Sequence, residues 1–249
     1  RPIFVQGANF KTLADQNKNF SLNIQKPIEA FTTLLNSSYS TTYACWTKVY
    51  DKVLDEQTWV PFSGTAAEIM ANTDANFQPW FAPAGFTRGR VGSVNDIALY
   101  PKQKQRDQLY SRATVNPVAF FPGDGFVVFG QKTLQAAPTA FDRINVRRLF
   151  LNLEKATRNT VKYFIFEPNT LLTRTRIINT LTPIFENAKN TEGLYDYLIV
   201  CDERNNTPDV IDQNELVVDI YLKPVRAAEF ILVNFYATRT GTDFNEIVG

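Results

Sequence analysis

The apolar positions of this chain change period several times along its length, and each change predicts an element. Val146, Leu149, Phe150, Leu153, Ala156 and Val161 recur at three-and-four spacing, with Arg147, Arg148, Glu154, Lys155 and Arg158 on the opposite side. That period predicts an amphipathic helix. Asp142 is placed to cap it, with Phe141 stapling onto Val146. Upstream, Gly123-Asp124-Gly125 separates two apolar runs and tolerates positive φ, which predicts a hairpin turn. A second long helix is expected after Asn169, its cap, with Leu172, Ile178, Leu181, Phe185 and Ala188 as the apolar stripe. Pro183 should kink or divide it, and Glu192-Gly193 should end it.

The remaining segments read less sharply. Ile3-Phe4-Val5 and Phe20 to Ile24 predict short strands, and Ile28 to Leu35 a short helix. Cys45, Trp46, Val49, Val53, Trp59 and Val60 predict strands joined by a polar turn between Asp51 and Gln57. Thr65 with Glu68 forms a capping box for a helix reaching about Asn72. Gln78 to Phe86 carries two prolines, a glycine and three aromatics, which bars a regular helix. It reads as a buried loop pinning a helix to a sheet, in preference to a subunit contact. Val91 to Leu99 predicts a strand, and Lys102 to Val115 a charged helix with Leu109, Tyr110 and Ala113 inward. Lys162 to Pro168 either extends the long helix or turns into a strand. Leu194 to Cys201, Leu216 to Leu222 and Glu229 to Thr238 read as strands. Phe244, Ile247 and Val248 lie in a polar tail that cannot bury them against itself.

These elements predict an α/β (α+β) fold, a mixed β-sheet covered by two or three helices. A boundary is expected at Tyr100-Pro101. Residues 1–100 would complete a domain begun upstream, and residues 101–249 would form a compact domain with an extended C-terminal arm. The first residue is Arg, not Met, so the chain is expected to be a piece of something longer.

Composition narrows the functional classes. A net charge of +1 gives no bulk attraction to nucleic acid or membrane. No apolar run approaches the ~20 residues that span a bilayer. Histidine is absent, which removes the usual neutral-pH proton shuttle and zinc ligand. Cys45 and Cys201 are too far apart for a metal motif and read as reduced core thiols. Arg88-Gly89-Arg90 is too small a basic spot for nucleic acid. Asp202, Glu203, Asn205, Asn206, Asp209 and Asp212 hint at a calcium loop. Arg204 stands at a ligand position, however, and the turn glycine is missing. No phosphate-binding glycine loop or nucleophile elbow occurs, so no catalytic, metal or cofactor site is expected.

Charge is unevenly placed. Residues 141–162 hold six basic and two acidic residues, while residues 195–219 hold seven acidic and one basic. Solvated faces of one subunit and complementary patches on neighbouring subunits fit this equally well. On the second reading Arg143, Arg147 and Arg148 would meet Asp202 and Glu203 of another copy.

Several blocks also resemble a known family. VNPVAFFPGDGFVVFGQKTL and FDRINVRRLF are similar to the C-terminal part of the contractile-tail sheath proteins of large tailed phages. QPWFAPAGFTRGRV, CDERNNTPDVIDQNELVVDIYLKP and VNFYATRTGTDFNE continue the likeness in order, from about Trp46 to Gly249. The resemblance implies a structural subunit that stacks with its own copies as hexameric rings around a tail tube. It implies contraction that drives the tube through the host envelope. The implied partners are the tube protein, baseplate and tail terminator, in a virion assembled in the host cytoplasm, with no cofactor, nucleic acid or membrane insertion. Extended arms in this family add strands to neighbouring sheets, which makes Phe244, Ile247 and Val248 candidate anchors. A non-contractile tail or tube component is the alternative. An enzyme with a carboxylate site around Asp202 and Glu203 is a more distant one.

Overall fold

The computed structural model describes residues 4–7 and 36–233. The class is mixed α/β, with the strands shared among four small sheets. Strands β1 (Phe4–Gly7), β2 (Ser40–Tyr43) and β7 (Val115–Asn116) form a parallel sheet in the order β1-β2-β7. Strands β3 (Trp46–Asp51) and β4 (Glu56–Pro61) make the expected hairpin, and β6 (Asp96–Ile97) pairs on the other side of β3. Strands β8 (Val118–Phe121) and β9 (Gly125–Val128) form a second hairpin, extended by β5 (Arg90–Val91). Gly123 and Gly125 both adopt positive φ in its turn, as the sequence suggests. The fourth sheet contains only β10 (Leu194–Val200) and β11 (Asp219–Pro224), antiparallel.

Six helices complete the described residues: α1 (Ser63–Asn76), α2 (Gly85–Arg88), α3 (Gln103–Ala113), α4 (Ile144–Val161), α5 (Leu171–Asn190) and α6 (Pro208–Asp212). Two apolar clusters hold them. Tyr43, Phe62, Ile69, Ile97, Val118, Val128 and Ile144 pack the first, drawing on residues from both sides of Pro101. Trp80, Leu149, Leu153, Ile177, Leu181, Phe185 and Leu194 pack the second. Helix α4 therefore acts as a shared beam: Ile144 enters one cluster, Leu149 and Leu153 the other.

Helix α4 starts one residue later than the capping pattern suggests. Lys132 and Arg143 form an antiparallel bridge, and Arg143 is extended. The backbone there is committed to the 131–133 segment, so Arg143 rather than Asp142 takes the cap position, without a side-chain cap. Phe141 sets its ring edge-on to Phe150 at 4.7 Å, one turn beyond Val146. Helix α1 begins at Ser63, two residues before Thr65, because Phe62 is buried and supplies its carbonyl to the Ala66 N–H. Glu68 does not close a capping box; it accepts from Ser93 Oγ at 2.8 Å.

Helix α5 is capped by Thr170, whose hydroxyl accepts from the Thr173 N–H, because Asn169 is engaged elsewhere. Pro183 does not divide it. Proline removes one backbone bond, and the buried row Ile177, Leu181, Phe185 and Ala188 holds both halves. Ile177, not Ile178, is the core residue, and Leu172 is exposed. The helix ends in a Schellman arrangement. Glu192 takes positive φ, its N–H reaches Lys189 O at 3.2 Å, and Gly193 N–H reaches Ala188 O at 2.8 Å.

Three further expectations are corrected. Residues 91–99 are not one strand: β5 and β6 belong to different sheets, with residues 92–95 between them. Lys162 to Pro168 is neither helix nor strand beyond a single 3-10 turn, and Phe166 adopts φ 71°. Residues 229–233 form no strand, and Phe230, Ile231, Leu232 and Val233 all stand exposed. The strand and helix read between residues 20 and 35, and residues 234–249 with Phe244, Ile247 and Val248, lie outside the described residues.

Candidate functional site

The two-stranded sheet is the least finished part of the fold. Its inner face is built by Tyr197, Ile199, Ile220 and Leu222, which pack against the α4–α5 cluster. Phe185 lies under Tyr197, ring centroids 5.6 Å apart. Leu198 and Tyr221 face each other across the strands on the outer side, both exposed. A two-stranded ribbon is marginal in water unless something covers it. The helices cover one face, but among the described residues no strand pairs with the outer margin of β10 or of β11. Such margins present unpaired N–H and C=O groups, a template for a further strand.

The loop joining the two strands is stapled from within. Asn205 Nδ2 donates to Val200 O at 2.8 Å and to Asp219 Oδ2 at 2.9 Å, closing the end of the sheet. Asn206 is buried. It accepts from the Val217 N–H and donates to Val217 O, both at 2.9 Å, standing in for a partner strand. That is why β11 begins at Asp219 rather than at Leu216: the backbone of Val217 is already taken by a side chain. Asn169 Nδ2 reaches Glu215 O at 2.8 Å, and Arg174 Nε donates to Asn169 Oδ1 at 2.7 Å. The acidic loop with a faint calcium pattern is thus a polar staple between α5 and β11. Among the described residues no group of three or more metal-ligating side chains converges.

The basic residues expected to meet Asp202 and Glu203 of another copy have partners within the chain. Arg143 Nε and Nη2 donate to the two carboxylate oxygens of Glu229 at 2.6 and 3.0 Å, and Nη1 pairs with Asp142 at 2.8 Å. Burial works against the Arg143 charge, but Glu229, Tyr110 and Asp142 together outweigh it and the net shift is upward. Arg147 is buried between two rings, 3.9 Å from the centroid of Phe141 and 4.3 Å from that of Tyr39. Arg148 Nη2 reaches Asp74 at 2.5 Å. Asp202 is held below the usual carboxylate range by the Arg204 guanidinium, 2.6 Å away. Glu203 is exposed. Within one subunit the two charged stretches do not meet in any of these pairs. Arg88 lies over the rings of Phe77 and Phe81, and Arg90 pairs with Asp124.

Trp80, Asn205, Asn206 and Glu229 position this region; the sequence offers the two asparagines only within the faint calcium pattern and gives Trp80 and Glu229 no site role. The aromatic content of 78–86 marks Trp80 as buried. The bonds of Asn206 to Val217, Asn205 to Asp219 and Glu229 to Tyr110 span 11, 14 and 119 residues, and such pairings leave no periodic signal. No described helix is long and apolar enough to cross a membrane.

Comparison with known proteins agrees with this architecture. The chain is 45% identical over 218 residues to the tail sheath protein of Vibrio phage KVP40, covering 86% of this chain and 32% of that protein. It is 42% identical over 218 residues to the tail sheath protein of Enterobacteria phage T4, covering 86% of this chain and 33% of that protein. The chain thus spans about a third of the length of these relatives. Its fold superposes on the sheath of an extracellular contractile injection system, the PVC sheath complex in the contracted state, with a TM-score of 0.80. The identity there is 20%, over 99% of this chain and 72% of that one. Residues 136–238 match the family described as phage tail sheath C-terminal domain, and over 86% of its length the chain aligns with curated phage tail sheath proteins.

Proposed function

We propose that this chain is the inner part of a structural subunit of a contractile phage tail sheath. Copies assemble as hexameric rings stacked helically around a tail tube, and their rearrangement drives the tube through the host envelope. The observation that carries the reading is the two-stranded sheet β10–β11, packed on one face and, among the described residues, open at both margins. A free margin of this kind is filled by an extended segment of another copy. Backbone hydrogen bonds then tie the copies while the connectors between body and arm absorb rotation.

The work is mechanical, with no bond-breaking step and no cofactor. The Asp202 carboxylate is paired with the Arg204 guanidinium. The partners on this reading are further copies of the chain, the tube protein, the baseplate and the tail terminator, in a virion tail assembled in the host cytoplasm. Neither nucleic acid nor a membrane is a partner. Complementary charge between residues 141–162 and 195–219 of neighbouring copies would set register more than strength, since exposed pairs contribute about 0–1 kcal/mol each.

Deleting residues 243–249 from the assembling protein tests the arm. Polymers should be lost while the monomer keeps its far-ultraviolet circular dichroism and its melting transition. Normal polymers from the truncated protein would contradict the proposal.

A further inference from the structure

After β11 the chain crosses back over its own body. The Val225 N–H donates to Gly193 O at 3.1 Å, holding the first residue beyond the strand. Four residues on, Glu229 enters a pocket of donors drawn from three segments. Tyr110 Oη, from α3, donates at 2.7 Å. Gln131 Nε2, from the loop after β9, donates at 3.3 Å. The Arg143 fork, at the foot of α4, donates twice. The Glu229 side chain is 16% exposed, so this is a sheltered, charge-assisted cluster. The next four residues, Phe230 to Val233, are large, apolar and 64–91% exposed. Within one step of sequence the chain passes from held to bare.

We infer that Glu229 is the anchor of the C-terminal arm and fixes the hinge between body and arm at residues 229 and 230. The arrangement suits that task. A carboxylate gripped by a planar fork and a phenol resists pulling in several directions, because its donors sit on different elements. Lys132 reinforces the seat without competing for Glu229: its ammonium donates to Tyr110 O and lies 4.4 Å from the Tyr110 ring centroid. Residues 225–229 are then a short strap tied at both ends. A load on the arm is passed to the start of α4 and so to both apolar clusters, rather than peeling β11 from β10. Resting on the sheath reading above, the bare run Phe230–Val233 is what the hinge presents to a second copy of this chain.

The strap contains Arg226, which gives a direct test on the unassembled full-length protein. Trypsin cleavage after Arg226 should be at least about tenfold faster in Glu229→Ala than in the parent protein, with Glu229→Gln between them. Chymotrypsin cleavage after Phe230 should be fast in all three, because that bond lies beyond the anchor. Circular dichroism of each protein checks that the body stays folded. Equal trypsin rates in the three proteins would overturn the anchor, and protection of Phe230 in the parent would overturn the hinge position. Sheath polymerisation is a separate readout. Its failure in the parent protein would count against the sheath reading and leave the proteolysis result standing.

Discussion

The indole Nε1 of Trp80 donates to the carbonyl of Thr191 at 2.9 Å, 111 residues further along the chain. This bond ties the proline-rich aromatic loop to the C-terminal end of α5. Gly193 sits directly beside it: a Cβ there would come within 2.9 Å of both the indole nitrogen and Ala188 O. Trp80→Phe keeps most of the apolar surface and leaves the Thr191 carbonyl unpaired, at an expected loss of about 1–3 kcal/mol. Trp80→Ala should lose about 3–5 kcal/mol through the cavity it leaves. Urea denaturation of the three proteins checks both values. A Phe variant as unstable as the Ala variant would show that the bond, not the packing, dominates.

Asn206 is the second long-range staple, and its substitution should be costly for a different reason. Asn206→Ala leaves the N–H and C=O of Val217 unpaired in a sheltered site, worth about 1–3 kcal/mol. Asn206→Asp should be no better, because a carboxylate cannot donate to Val217 O or Asp202 O. Hydrogen exchange at Val217 gives the local readout. Protection that survives Asn206→Ala would mean that the backbone there has another partner.

The two cysteines should be inert in the folded protein. Burial pushes the Cys45 thiol up to about 12, and burial also raises Cys201. Both therefore stay protonated at pH 8, and the thiolate is the reactive form. A disulfide reagent at pH 8 should label neither until denaturant is added. The folded values are the higher ones, so the unfolded chain ionises first. Stability falls accordingly as pH rises past the ordinary thiol value of about 8.5. Native labelling at the rate of a free thiol would contradict the burial of both residues.

Much of the fold is legible in the sequence because it is periodic. The three-and-four spacing marks α4, the paired glycines mark the β8–β9 turn, and the polar gap marks the β3–β4 hairpin. What escapes is whatever depends on a distant partner. The start of α4 is set by the bridge between Lys132 and Arg143, and the start of β11 by Asn206. The alternation after Glu229 looks like a strand, yet within the described residues no neighbour pairs with it. The charged site residues show the same limit. Composition locates Arg143, Arg147 and Arg148, but only the fold reveals that Glu229, Tyr39, Phe141 and Asp74 are their partners. No sequence pattern distinguishes those contacts from contacts between copies.

The central claim is that the β10–β11 sheet is completed by another copy. A high-resolution electron cryo-microscopy reconstruction of polymers formed by the full-length protein tests it most directly. The account predicts at least one added strand, hydrogen-bonded along β10 or β11 and traceable to a neighbouring subunit. A polymer in which both margins stay bare, or are closed by residues of the same chain, would contradict it.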